Sequence, residues 1–207
     1  DVELTSPLII QSNVIIDLAG FSIKGGKAYV DGLTGTDIAV ITVDNGASLT
    51  IEGEGSIEGG EYGIYAKNGN VIVKGGDIKA TSSAIQVNVG NANIEGGNFS
   101  NTDADKRYLI NCIDANWKNG KAKVSISGGR FSEFNPGNNA AEGAGTNFLA
   151  EECSVVEDGN WYVVASIKTV DNVTDFEEAV ENSTASKVVA TENIELTSSL
   201  KIDNRGS

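Results

Sequence analysis

Apolar residues recur along this chain in short phrases, each bent at a glycine corner. Val73-Lys74-Gly75-Gly76-Asp77-Ile78 returns as Ile94-Glu95-Gly96-Gly97-Asn98-Phe99 and as Ile126-Ser127-Gly128-Gly129-Arg130-Phe131. A looser copy, one residue longer, is Ile51-Glu52-Gly53-Glu54-Gly55-Ser56-Ile57. The corners at Gly75 and Gly96 are about 21 residues apart. Upstream of each copy sits a second apolar segment, at 38–43, 62–66, 84–89 and 108–113. Apolar and polar residues alternate within the phrases, Val71, Val73 and Ile78 against Lys74 and Asp77, with Ile72 the exception. A period of two is that of a strand with one side in a core and one in water.

A unit this short cannot bury its apolar side alone, but stacked copies bury it against one another. The pattern therefore predicts an all-β chain folded as a right-handed parallel β-helix, a β-solenoid of about six to seven rungs, with one short C-terminal helix. An antiparallel sandwich also has short strands and glycine turns, but it does not need the same phrase at the same place in each repeat. Val73, Ile78, Ile94, Phe99, Ile126 and Phe131 are expected to point inward in rows.

In chain order, alternating strands fill 2–24, and 25–36 is a glycine-rich excursion. Further rungs follow at 37–59, 61–80 and 81–100. The fifth rung is interrupted by a polar loop at 101–107 and by a hairpin-like excursion at 114–121. A long Gly/Ala/Asn loop occupies 135–146, and 148–164 resumes with a shorter pair of strands turned at Asp158-Gly159. The last forty or so residues differ in character. Thr174 with Glu177 reads as a capping box, which predicts a helix to about Asn182 with Phe176, Ala179 and Val180 on one side. Strands at 188–190, 194–196 and 200–202 should follow. The organisation expected is a solenoid over 1–165 and a helix-plus-strands segment over 166–207.

The chain also repeats its own opening. Asn193-Ile194-Glu195-Leu196-Thr197-Ser198-Ser199-Leu200-Lys201-Ile202 matches Asp1-Val2-Glu3-Leu4-Thr5-Ser6-Pro7-Leu8-Ile9-Ile10, about 192 residues earlier. Either the sequence is cut from a tandem array, or the C-terminal segment of one subunit completes the N-terminal end of the next. Both imply end-to-end stacking, with Val2, Leu4 and Leu8 on one side of the junction. Phe176, Val180, Ile194, Leu196, Leu200 and Ile202 lie on the other.

Composition narrows the function. The 207 residues carry 25 Gly, 2 Pro, no His and a formal net charge of −14. That acidity argues against nucleic acid and anionic membrane surfaces as partners. No segment has the length of a transmembrane span. Without histidine, the commonest general base and zinc ligand are both missing. Cys112 and Cys153 are too few for a disulfide scaffold. They fall on successive rungs, so a bridge and two reduced, buried thiols both remain open.

The run Lys187-Val188-Val189-Ala190-Thr191-Glu192-Asn193-Ile194-Glu195-Leu196 after a short helix resembles the entry segment of pectate-lyase-like adhesive domains. Val14-Ile15-Ile16-Asp17-Leu18-Ala19-Gly20-Phe21-Ser22-Ile23 looks like that family's second rung. Ser127-Gly128-Gly129-Arg130-Phe131 and Asn147-Phe148-Leu149-Ala150 are similar to repeats in gut-bacterial and bacteriophage surface proteins. The resemblance implies a β-helix at a bacterial cell surface or virion surface. It says little about activity, because β-helices host lyases, hydrolases and adhesins alike.

A lyase resembling the pectate lyases would need a calcium-binding carboxylate cluster and an Arg or Lys base. Arg130 reads instead as an outward polar residue, level with Asp77 and Asn98. A glycoside hydrolase needs two convergent carboxylates. Glu151 and Glu152 point to opposite faces, and Asp103 and Asp105 have Lys106 and Arg107 beside them to pair with. The expectation is a non-catalytic extracellular structural or adhesive module that self-associates head to tail and contacts glycans weakly. The alternative is a polysaccharide-degrading β-helix enzyme. No catalytic residue, metal site or cofactor is assigned. The ligand candidates are Trp117, Tyr62 and Tyr65 as aromatic platforms, with Asp103 and Asp105 as polar partners. Trp161 reads as core or end packing.

Overall fold

The computed structural model describes residues 1–182 and 187–196. Strand β1 (Val2–Glu3) leads into a first complete turn of β2 (Leu8–Ile10), β3 (Val14–Asp17) and β4 (Phe21–Gly25). A short helix α1 (Gly35–Ile38) precedes the second turn, β5 (Ala39–Val43), β6 (Ser48–Glu52) and β7 (Gly55–Gly59). The third turn is β8 (Tyr62–Ala66), β9 (Asn70–Val73) and β10 (Asp77–Ala80). The fourth is β11 (Ser83–Val87), β12 (Gly90–Ile94) and β13 (Asn98–Asn101). The fifth holds a 3₁₀ turn at Lys106–Tyr108, β14 (Ile110–Cys112), helix α2 (Asp114–Lys118), β15 (Ala122–Ile126) and β16 (Arg130–Ser132). A hairpin of β17 (Cys153–Asp158) and β18 (Trp161–Val170) follows, then α3 (Val173–Asn182) and β19 (Lys187–Ala190).

Each strand of the five turns pairs in parallel with the strand three along, so three sheets wind around one core. Sheet A runs β1-β4-β7-β10-β13-β16 and ends on β18 and β17. Sheet B runs from β2 to β14, and sheet C from β3 to β15. This is a parallel β-helix. A partial sixth turn sits on sheet C, where the Ile126 amide donates to Phe148 O (2.8 Å) and the Ala150 amide to Ile126 O (2.9 Å).

The rows inside are those the alternation predicts. Ile51, Val73, Ile94 and Ile126 stack in sheet C, and Ile57, Ile78, Phe99 and Phe131 in sheet A, all fully buried. Phe99 and Phe131 lie face to face, with centroids 4.9 Å apart and planes 8° from parallel. Ile72, the exception to the alternation, is only half-buried on the outside of sheet C. At the corners, Gly97 has φ +94°, and a Cβ there would lie 2.8 Å from Gly76 O one turn below. Glycine is needed both for the backbone angle and for the close approach of stacked corners.

Several expectations are corrected. The excursion over 114–121 is a short helix rather than a hairpin; the Asn116 and Trp117 amides both donate to Ile113 O, and the turn swings Trp117 onto Phe148. The resumed pair at 148–164 leaves the parallel stack. The pair of strands turned at Asp158-Gly159 is present, as β17 and β18, and the tight turn makes them antiparallel; β18 also runs antiparallel to β16. The C-terminal helix lies where expected, but its cap is one pair earlier. Asn172 Oδ1 accepts from the Asp175 amide (2.9 Å) and Asn172 Nδ2 donates to Asp175 Oδ2 (2.6 Å), and Asn is among the best N-cap residues. Residues 165 and 166 both lie within β18 and pair with β17. Cys112 and Cys153 are both free, the first buried and the second half-buried. Leu200 and Ile202 lie outside the described residues.

Candidate functional site on the outer face of sheet A

The register that buries Ile57, Ile78, Phe99 and Phe131 turns their neighbours outward. Ser22, Ser56, Asp77, Asn98 and Arg130 therefore form one outward row across β4, β7, β10, β13 and β16. Lys24, Glu58, Lys79 and Ser100 form a second. Within the first row, Asn98 Nδ2 donates to Asp77 Oδ1 at 2.7 Å. Within the second, Lys24 Nζ lies 3.7 Å from Glu58 Oε2, and Ser56 Oγ of the first row donates across to Glu58 Oε1 at 2.7 Å.

The hairpin builds a wall at one end. β18 pairs antiparallel with β16, setting Trp161 opposite Ser132 and Val163 opposite Arg130. The Arg130 guanidinium lies over the Trp161 ring, 5.4 Å from its centroid, and Nη2 donates to Asp158 Oδ2 at 2.7 Å. Trp161, half-buried, thus stands beside the two polar rows rather than in the core. Between wall and rows is a depression of about 410 Å³, bounded by Glu58, Asp77, Lys79, Asn98, Ser100, Arg130 and Trp161. It shares Asn98 and Arg130 with a second depression of about 490 Å³ along the corner glycines. It shares Glu58 and Lys79 with a third, of about 530 Å³, that reaches Leu4 and Gly25. Through these shared residues the three depressions adjoin one another as an open trough along sheet A, most polar beside Trp161.

Several of its polar side chains are paired with one another or with the wall. The Ser56 hydroxyl and, after it, the Lys24 ammonium hold the Glu58 carboxyl below its usual range, so it stays ionised and is a poor general acid. Arg130 is occupied by Asp158 and Trp161, which leaves it poorly placed as a base. Among the described residues, no group of three or more His, Cys, Asp or Glu is placed to hold a metal ion. The depression thus sets an aromatic ring beside amide, carboxylate, hydroxyl and ammonium groups.

The residues singled out from sequence lie elsewhere and apart. Trp117 on α2 meets Phe148 edge-on, centroids 5.4 Å apart at 88°, and packs against the core at the end of the fifth turn. Tyr62 and Tyr65 are both half-buried on β8, rings 5.8 Å apart, and Gly35, the first residue of α1, lies against the Tyr65 ring. Burial is the first cause raising both hydroxyls above their ordinary pKa. Asp105 is held by Arg107, with Nη2 2.6 Å from Oδ2, and the side-chain hydrogen bond from Arg107 lowers its pKa. Asp103 accepts from the Asp105 amide in the same loop. Trp161 packs at the end of the stack, one of the two places read for it from the sequence; its closeness to the polar rows depends on the register of an antiparallel return, which the parallel repeat does not encode. No protein-family model matches this chain, and neither the curated proteins nor the solved structures yield a match.

Proposed function

We propose that the protein is a non-catalytic extracellular structural and adhesive module whose sheet A trough contacts glycans. The observation that carries this reading is Trp161, clamped by Arg130 and Asp158 at the end of two outward polar rows. The trough is open and shallow, so it suits weak contact with an extended saccharide rather than enclosure of a small molecule. The head-to-tail stacking implied by the repeated phrase at 193–196 belongs to the same reading, since many weak sites in an array bind together far more tightly than one.

Affinity electrophoresis through gels containing neutral or acidic polysaccharides tests it. The native chain should be retarded by at least one class, Trp161→Ala should run free, and Trp117→Ala should stay retarded. Free migration of the native chain in every gel would remove the glycan reading. Sustained release of reducing ends or unsaturated products would favour the polysaccharide-degrading alternative.

A further inference from the structure

The chain crosses from sheet A to sheet B in a tight step at 60–61 and again at 81–82, but at 102–109 and from Glu133 onward it makes long excursions. These two excursions meet beside the fifth turn and enclose a depression of about 330 Å³. It shares no lining residue with the three depressions of the trough. Phe134 and Tyr162 supply its aromatic lining. Tyr162 lies opposite Phe131 and so on the inner face of β18, while Trp161, opposite Ser132, faces the trough.

The polar lining is held in place and only partly used. Lys106 Nζ donates to Asn101 O at 2.9 Å, and Glu133 Oε2 stands 3.8 Å away, too far for a hydrogen bond. Glu133 has φ +53°, an angle uncommon for a side chain of its kind, and its amide is fixed by Asn160 O at 2.8 Å. Both excursions are braced from within: Asp103 Oδ1 accepts from the Asp105 amide (3.0 Å) and Asn135 Oδ1 from the Gly137 amide (2.9 Å). Among the described residues, the Tyr162 hydroxyl, the Asn135 amide nitrogen and the Asn138 side chain have no hydrogen-bond partner in the protein. Lys106 and Glu133 cancel in charge, as do Arg107 and Asp105 beside them.

We infer that this corner depression is a second binding site, taking a single ring of a neutral sugar. A hydroxyl can accept from an ammonium and donate to a carboxylate at once, so it fills the gap between Lys106 and Glu133 as no purely anionic or cationic group does. Tyr162 offers a ring with a polar tip, and the two asparagines offer both donors and acceptors. The volume is at the low end for small-molecule sites, roughly 300–1,000 Å³, and suits a chain end or a branch rather than an extended chain. The site is locally uncharged on a chain of net charge −14, which disfavours an acidic sugar. It goes beyond the trough and uses none of its residues.

Titration of the full chain with methyl glucoside, methyl galactoside and N-acetylglucosamine, followed by the side-chain amide signals of Asn135 and Asn138, tests the site. At least one of these sugars should move both signals, and galacturonate should bind several-fold more weakly than methyl galactoside. Lys106→Met should weaken the binding roughly tenfold, since it removes a hydrogen bond to a charged group. Glu133→Gln, at an exposed position where folding is not at stake, should weaken it by about threefold. Lys123→Met, the same change of charge on the outer face of sheet C, should bind as the native chain does. Amide signals that stay still with every neutral sugar, or that move as strongly with galacturonate, would overturn the site. So would native-like binding by Glu133→Gln and Lys106→Met. The Trp161 indole signal separates the two readings: a sugar that moves it and not the asparagines removes the corner site and leaves the trough, and the reverse result supports the corner site alone.

Discussion

The third and fourth turns, from Tyr62 to Asn101, differ from the end of the molecule beyond Leu109 in how each residue is held. In the turns, a side chain meets its own counterparts above and below. Val73 lies between Ile51 and Ile94, and Ile78 between Ile57 and Phe99. Outside, Asn91 Nδ2 donates to Asn70 Oδ1 at 2.8 Å, one turn apart. Beyond Leu109, Ile126 and Phe131 still continue the rows, but many other contacts occur once. Trp117 meets Phe148, Glu142 Oε1 accepts from the Cys112 amide, and Arg130 bridges Trp161 and Asp158. A repeat supplies stability by one rule applied many times; the end supplies the special surfaces, each resting on a few residues.

The sharpest way to break the comparison is a charge in the stacked core. Val73→Asp places a carboxylate with no partner between two isoleucines and should cost about 4 kcal/mol or more. Chemical denaturation should show one cooperative loss of the turns. A variant that melts like the native chain would mean the row is not packed as described. Trp117→Ala should cost less, about 2 kcal/mol, because the ring is only partly buried. Its loss should loosen the end first, read as faster amide exchange at Ile110–Cys112 than in β8 to β13.

The same division explains what was legible in the sequence. Strand places, inward rows and corners in the turns follow from period two and from the glycine phrases, because every copy repeats the evidence. The hairpin, α2 and the loop over 135–146 have no second copy to be read against. Asp114 to Lys118 alternates weakly and carries turn residues, so helix and hairpin look alike until Trp117 finds Phe148. The trough was half legible: Asp77, Asn98 and Arg130 align in the phrases, but the wall that makes them a site comes from a strand running the other way.

Glu142 gives a smaller effect with a definite sign. Its carboxyl caps the top edge of sheet B at the Cys112 amide, and burial raises its pKa above 4.5, the hydrogen bond from Cys112 opposing the shift only in part. A carboxyl raised in the folded state adds stability below its unfolded pKa and loses that contribution as pH rises through the folded pKa. Glu142→Gln keeps the acceptor and removes the charge. It should therefore melt higher than the native chain at neutral pH, with the gap closing as pH falls towards 4. A gap that stays constant with pH would place the effect in packing rather than charge. The buried Cys112 thiol, its pKa pushed up to about 12 chiefly by burial, should stay unreactive to thiol reagents until the end opens.

The smallest expected effect on stability falls on the residues assigned to function. Asp158→Asn breaks an ion pair whose side chains are 45% and 64% exposed, so it should cost no more than about 1 kcal/mol. The hairpin keeps its ladder between β17 and β18, and the core is untouched. Yet Arg130 loses the carboxylate that holds it over Trp161, and the wall of the trough loses its fixed geometry. Melting should be nearly unchanged while retardation in polysaccharide gels weakens, by less than for Trp161→Ala, because the ring itself remains. Salt near 1 M, where the screening length falls to about 3 Å, should mimic the substitution in the native chain if the ion pair is what orients the clamp. Unchanged retardation in Asp158→Asn would reduce the clamp to its aromatic member and leave Trp161 alone as the platform.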